Sequence, residues 1–216
     1  SLRLAAEHGA EATARLARHY GVGATILPMS DDPVRTWVQR REIAFFEKTR
    51  PLAAGSLCLE IGCGRGKGVE LVHRTFHPRR VHGLDLDPSM IKLANKRLGD
   101  DAGDTFFFFV ADAQHLPYPD ACMDAVINFG IIHHLEDWER GIREIARVLV
   151  RGGLFYCEEI YPPLYANFLF RRLVAHPTEN RFHGGQFRAA LAASALRLLS
   201  GYKESRFGIL GVAEKE

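Results

Sequence analysis

The chain has 216 residues, of which 47% are hydrophobic and 25% charged, and Lys plus Arg number 28 against 26 for Asp plus Glu. These proportions suit one globular domain with a full core, alone or with a short extension, and they argue against wholesale disorder. A net charge of +2 lacks the basic surplus of a dedicated nucleic-acid binder, and no apolar run approaches the ~20 residues needed to span a bilayer. The four cysteines, Cys58, Cys63, Cys122 and Cys157, form no C-x-x-C pair and no metal-ligand spacing. They read as reduced, mostly buried thiols of a cytoplasmic protein, and Ser1-Leu2-Arg3 does not open a signal peptide.

Residues 1–20 are rich in Ala with interspersed Glu and Arg, a helical pattern closed by Gly21. Asp31-Asp32-Pro33 reads as a second helix start, with an acid at the cap and Pro at the first turn, and that helix should run to about Arg50. From Ser56 the pattern alternates. Apolar strands are predicted over 57–61, 80–85, 105–110, 124–128 and 153–158, with helices over 67–76, 88–98 and 137–149. Strands alternating with helices argue a parallel α/β sheet. Residues 196–203 and 206–213 are separated by too few residues for a crossover helix, so they should form an antiparallel hairpin at one side of the sheet.

The segment Leu57-Cys58-Leu59-Glu60-Ile61-Gly62-Cys63-Gly64-Arg65-Gly66-Lys67-Gly68 carries the most chemistry. A strand runs into alternating glycines and then a helix, so backbone amides and a helix N-terminus face a ligand at the strand's carboxyl end. A dinucleotide loop, G-x-G-x-x-G, would need glycine at 67, where Lys67 stands. A phosphate loop would need Ser or Thr after Gly66-Lys67. The run is E-x-G-x-G-x-G instead.

That run, in its strand–loop–helix context, resembles the first motif of class I S-adenosylmethionine-dependent methyltransferases. The resemblance extends over about 160 residues, through Val81-His82-Gly83-Leu84-Asp85, Val110-Ala111-Asp112-Ala113, Asp124-Ala125-Val126-Ile127-Asn128-Phe129-Gly130 and Val148-Leu149-Val150-Arg151-Gly152-Gly153-Leu154. It implies a Rossmann-like α/β fold over residues 33–216, with a mostly parallel seven-stranded sheet, one antiparallel strand and helices on both faces. Residues 1–32 would then be an N-terminal extension. It also implies S-adenosylmethionine as cofactor, with S-adenosylhomocysteine as product. Asp85 would hold the ribose diol, Asp112 and Ala113 the adenine, and Glu60 the methionine ammonium through the loop or water. Gly62, Cys63, Gly64, Gly66, Leu86, Met90, Asn128 and Phe129 complete the implied cofactor site. Asp87 precedes Pro88 and is expected to cap the helix that carries Met90, whose own side chain reads as adenosine contact or core.

The acceptor is less defined. After Asn128 there is no Pro-Pro-aromatic run and the chain has no Pro-Cys pair, so a nucleic-acid substrate is disfavoured and a small or lipophilic acceptor is expected. The absence of a spanning segment leaves peripheral membrane contact open. His133 offers a base near the acceptor; alternatively His133-His134 simply ends a loop before Glu136-Asp137-Trp138. Leu164, Tyr165, Phe168, Leu169 and Leu173 fall at helical spacing and read as core, or as a cover over an apolar acceptor that the polar segment Pro177–Gly185 would help close. Residues 21–36 locally resemble 2-phospholactate transferases, over too little of the chain to carry an activity. The alternatives are a catalytically silent methyltransferase-like binding module and a nicotinamide-dependent oxidoreductase. No metal site is predicted.

Overall fold

A computed structural model describes residues 33–99, 104–165 and 181–216. Helix α1 (Pro33–Thr49) starts on the predicted proline. Strand β1 (Leu57–Ile61), helix α2 (Lys67–Phe76), β2 (Arg80–Asp85), α3 (Pro88–Leu98), β3 (Phe106–Val110) and β4 (Met123–Phe129) follow. A 3-10 turn (Ile132–His134), α4 (Trp138–Val148), β5 (Leu149–Ile160), a one-turn α5 (Pro162–Tyr165) and α6 (Gly184–Ala193) lead to β6 (Leu196–Leu198), β7 (Lys203–Ser205) and β8 (Gly208–Lys215). The boundaries of β1, α2, β2 and α3 coincide with those predicted.

The sheet runs β3-β2-β1-β4-β5-β8-β6, with β7 also paired to β8. The strands from β3 to β5 are parallel, and β8 runs antiparallel to β5. Eight strands stand where seven were expected. The predicted strand 196–203 is broken by the Ser200–Gly201 turn, where Gly201 takes φ +90°, and its two halves pair separately with β8. Strand β5 begins at Leu149 rather than 153, and Gly152 and Gly153 sit inside it. Helix α6 was not foreseen. Gly184-Gly185 reads as turn, but His183 and Gln186 form a reciprocal capping box and Phe187 and Leu191 bury the helix against the sheet.

Period-two alternation sorts each strand's residues between two cores. Cys58, Ala125, Ile127, Phe129, Leu154 and Tyr156 face α1–α3, where they meet Ile43, Phe46, Val69, Val72 and Ile91. Leu59, Ile61, Val126, Phe155 and Cys157 face α4 and α6, where they meet Trp138, Ile142, Ile145, Phe187 and Leu191. Helices thus cover both faces, as expected. The sequence-predicted helix of residues 1–20, the stretch before Pro33 and residues 166–180 of the expected cover lie outside the described residues.

Candidate active site

All the residues argued to hold a cofactor gather at the carboxyl ends of β1, β2, β3 and β4. The loop after β1 turns through left-handed φ at Gly62 (+65°), Gly64 (+51°) and Gly66 (+79°), a geometry that disfavours side chains. A Cβ at Gly62 would also strike the Ile131 side chain, so this loop presses directly on the loop after β4. Asp85 ends β2 and ties the region together. Its Oδ2 accepts from Gly64 N at 2.8 Å and its Oδ1 from Asp87 N at 2.9 Å. Burial raises the Asp85 pKa, and those amides pull it back down. Asp87 caps α3 by accepting from Ser89 N at 2.8 Å, as predicted, and Met90 and Leu86 sit half-buried beside it.

Glu60 lies on β1 facing α2 and is 2% exposed. Its carboxylate fills the space where a Cβ of Gly68 would lie, against the first turn of α2. Burial lifts its pKa well above the carboxylate range, Arg35 opposes this and Asp85 adds to it. Its Oε2 is buried without a hydrogen-bond partner. Cys63 is buried nearby, and burial and the Glu60 charge push its thiol up. After β3, Asp112 Oδ1 accepts from Gln114 N at 2.8 Å and from the Gln114 side chain at 3.1 Å, which fixes its carboxylate at the strand end. Ala113 is buried beside it.

Beyond β4 the arrangement differs from the one expected. Asn128 is fully buried and turned towards β5, where its Nδ2 donates to Glu158 O at 2.9 Å and to Glu159 Oε1 at 2.7 Å. Its Oδ1 accepts from Ile131 N at 3.0 Å. The Asn128 side chain therefore shapes the loop and does not itself face the glycine loop. Phe129 packs on Phe46, and its carbonyl accepts from Arg35 Nη2 at 3.2 Å.

Three functional candidates went unnoticed in the sequence. Alternation along β5 sends Glu158 towards α1 and Glu159 to the opposite face. Glu159 Oε1 accepts from Ile132 N at 2.8 Å, and its Oε2 meets His133 Nδ1 at 2.7 Å. Burial pushes Glu159 up to about 8, against the pull of the Asn128, Ile132 and His133 donors. His133 is 3% exposed, and its carbonyl accepts from Arg181 Nη1. On the other side, Arg35 pairs with Glu42 Oε1 at 3.1 Å and with Glu158 Oε2 at 3.6 Å. Two consecutive acids in the apolar run Phe155–Tyr161 were a readable signal. Arg35, one turn into a polar-looking helix, gave none.

Residues 59–157 match the family model described as a methyltransferase domain. That match covers just under half of the chain. It is 34% identical over 138 residues to the phthiotriol/phenolphthiotriol dimycocerosates methyltransferase of Mycobacterium tuberculosis, an alignment covering 63% of this chain and 48% of that protein. It is 36% identical over 127 residues to the fatty-acid O-methyltransferase of Mycolicibacterium smegmatis, covering 58% and 45%. The 27-O-demethylrifamycin SV methyltransferase of Amycolatopsis mediterranei is 39% identical over 104 residues, covering 48% and 38%. The chain spans about half the length of the curated relatives it matches. Among solved structures, a SAM-dependent methyltransferase from Aquifex aeolicus superposes with TM-score 0.69 at 16% identity, covering 88% of this chain and 96% of that one. That structure shares the fold of this sheet and its flanking helices.

Proposed function

We propose that this chain transfers a methyl group from S-adenosylmethionine to a lipophilic small molecule. The observation that supports the cofactor is Glu60. A fully buried carboxylate oxygen without a partner, beside a helix N-terminus and a three-glycine loop, is matched by a ligand that brings a cation into the same space. The methionine ammonium is such a cation. Asp85 and Asp112, held by backbone amides, provide acceptors for the ribose hydroxyls and the adenine amino group. Gly62, Cys63, Gly64, Gly66, Leu86, Met90, Ala113 and the Phe129 main chain complete the proposed site.

When bound, the sulfonium supplies an already activated methyl group, and the protein's share is alignment and exclusion of water. Above about pH 8, where Glu159 is ionised, it fixes His133 by receiving the Nδ1 proton, which leaves Nε2 as the basic nitrogen of the ring. In this proposal His133 Nε2 takes the acceptor's proton, and Arg181 on the His133 carbonyl positions the loop. A lipophilic acceptor is supported by the relatives, which are methyltransferases of a dimycocerosate lipid, a fatty acid and a rifamycin. Among the described residues no helix is long and apolar enough to cross a membrane.

Titration calorimetry with S-adenosylmethionine, S-adenosylhomocysteine and NADH tests the cofactor. Micromolar binding of the adenosyl ligands with no NADH heat is expected, and the reverse pattern would overturn the reading. Incubation with methyl-labelled S-adenosylmethionine and a panel of fatty acids and hydroxylated lipids then tests the acceptor. Cofactor binding without label transfer to any of them would favour the silent binding module.

A further inference from the structure

Three cation–π pairs lie on α1 and the β7–β8 hairpin. Trp37, Arg41 and Phe45 stand at i, i+4 and i+8 along one stripe of α1. The Arg41 guanidinium is 4.8 Å from the Trp37 ring, and Lys203 Nζ is 5.0 Å from the Phe45 ring. The second contact joins the hairpin to the helix. At the hairpin turn the Arg206 guanidinium is 4.5 Å from the Phe207 ring. Phe45 packs against the core, but the other two rings stand out from it: Trp37 is 57% exposed and Phe207 38%, as is the neighbouring Tyr202.

The charge on the same surface is one-sided. Arg40, Arg41, Lys48, Lys203 and Arg206 are all exposed. Of the nearby acids, Glu42 is buried against Arg35, and Glu204 is held by Tyr161 and Arg188, which leaves Glu47 facing outward. Beside Trp37, a cavity of about 610 Å³ between α1, α2 and α3 is lined by Arg40, Lys67 and Arg97, and Glu70 offsets only part of that charge. Exposed aromatic rings alternating with cations fit a layer that is apolar within and anionic at its surface. The hairpin turn also adjoins the acceptor end of the sheet. Gly208 pairs with Ile160, and the Phe207 carbonyl accepts from Tyr161 N at 2.8 Å, one residue beyond Ile160 and two beyond Glu159.

We propose that α1 and the β7–β8 hairpin dock on the surface of an anionic phospholipid bilayer. Trp37 and Phe207 enter the headgroup layer, and Arg40, Arg41, Lys203 and Arg206 lie over its phosphates. The proposal rests on the lipophilic acceptor argued above, because it places the acceptor end of the sheet next to the layer where such a molecule dissolves.

Co-sedimentation of the full chain with vesicles of phosphatidylcholine, alone or mixed with phosphatidylglycerol, tests it. Binding at least ~10-fold tighter to the anionic vesicles is expected, weakening with added salt. Trp138 is buried, so a blue shift in emission on binding reports Trp37. Arg41→Glu with Lys203→Glu should weaken vesicle binding by roughly 20-fold or more, since each cation near the surface contributes roughly fivefold. Trp37→Ala should abolish the emission shift and lower affinity; it is the second variant should the double one fail to fold. S-adenosylhomocysteine calorimetry on the same samples separates the two readings. A chain that binds S-adenosylhomocysteine and ignores anionic vesicles overturns the docking and leaves the methyltransferase reading standing. Equal binding to neutral and anionic vesicles overturns it as well.

Discussion

The carboxyl ends of the strands present two buried carboxylates in opposite conditions. Glu60, on the α1–α3 face, is buried with Oε2 unpaired. Glu159, on the α4–α6 face, is buried with donors on both oxygens: Asn128 and Ile132 on Oε1, and His133 on Oε2. A buried polar group without a partner destabilises the empty protein, whereas a saturated one holds its neighbours in place. In the function proposed above, the contrast separates a region that receives a ligand from a region that orients a side chain. The two meet where Gly62 presses on Ile131.

The largest effect should come from the saturated site. Glu159 has its pKa raised from 4.5 to about 8 in the folded protein. The stability this gives is therefore complete below about pH 4.5, erodes as pH rises and is gone above about pH 8. At ~1.4 kcal/mol per pH unit, the fold should lose about 5 kcal/mol across that window. Glu159→Gln should flatten the slope in urea titrations run from pH 5 to pH 8. It also places an amide N–H against His133 Nδ1 at every pH, so the ring proton stays on Nε2 and turnover above about pH 8 falls without a change in S-adenosylhomocysteine affinity. An unchanged pH slope would show that Glu159 is ionised throughout.

Asp85→Ala comes next, at the receiving site. Loss of a carboxylate that orders Gly64 and Asp87, and that is proposed to accept a diol, should lower S-adenosylhomocysteine affinity by at least ~100-fold in calorimetry. The same two amide bonds make the fold itself lose about 1 kcal/mol, so the variant is not structurally silent. Unchanged affinity would remove Asp85 from the site.

Gly62→Ala probes the seam between the regions. Left-handed strain and collision with Ile131 should together cost about 2–4 kcal/mol in chemical denaturation. Gly152→Ala is the control, because φ there is +77° with no atom near the added Cβ; it should cost only about 1 kcal/mol. Equal losses would mean that strain alone, and not the contact between the two loops, makes Gly62 necessary.

The receiving region was legible in the sequence because its parts are consecutive. The strand, the alternating glycines and the helix lie within residues 57–76, and Asp85 and Asp112 each end a strand whose apolar run is plain. The orienting region was not, because it is assembled across the sheet. The carboxylate partner of His133 comes from β5, 26 residues away, and Asn128 turns to β5 instead of the glycine loop because alternation along β4 puts it on the α4 face. Pattern rules report which residues share a face, not which of two facing strands lies opposite. Helix α6 escaped for a related reason: two glycines outweighed a capping box and the buried Phe187, whose packing only the tertiary structure supplies.

Glu60→Gln gives the smallest shift and the sharpest comparison, because its two readouts should move in opposite directions. A neutral amide removes the charge whose burial raises the Glu60 pKa. That raised pKa makes the carboxylate an increasing liability to the fold as pH climbs above its ordinary range, so the gain in stability should be largest at neutral and alkaline pH. The same change withdraws the anion from a cationic ligand, and S-adenosylmethionine affinity should fall by about 10-fold. A stabilised protein with weakened binding is the signature of a group kept unpaired for its ligand. If Glu60→Gln instead destabilised the fold at every pH, Glu60 would be a structural carboxylate like Glu159, and the ammonium would have to be held by the loop carbonyls alone.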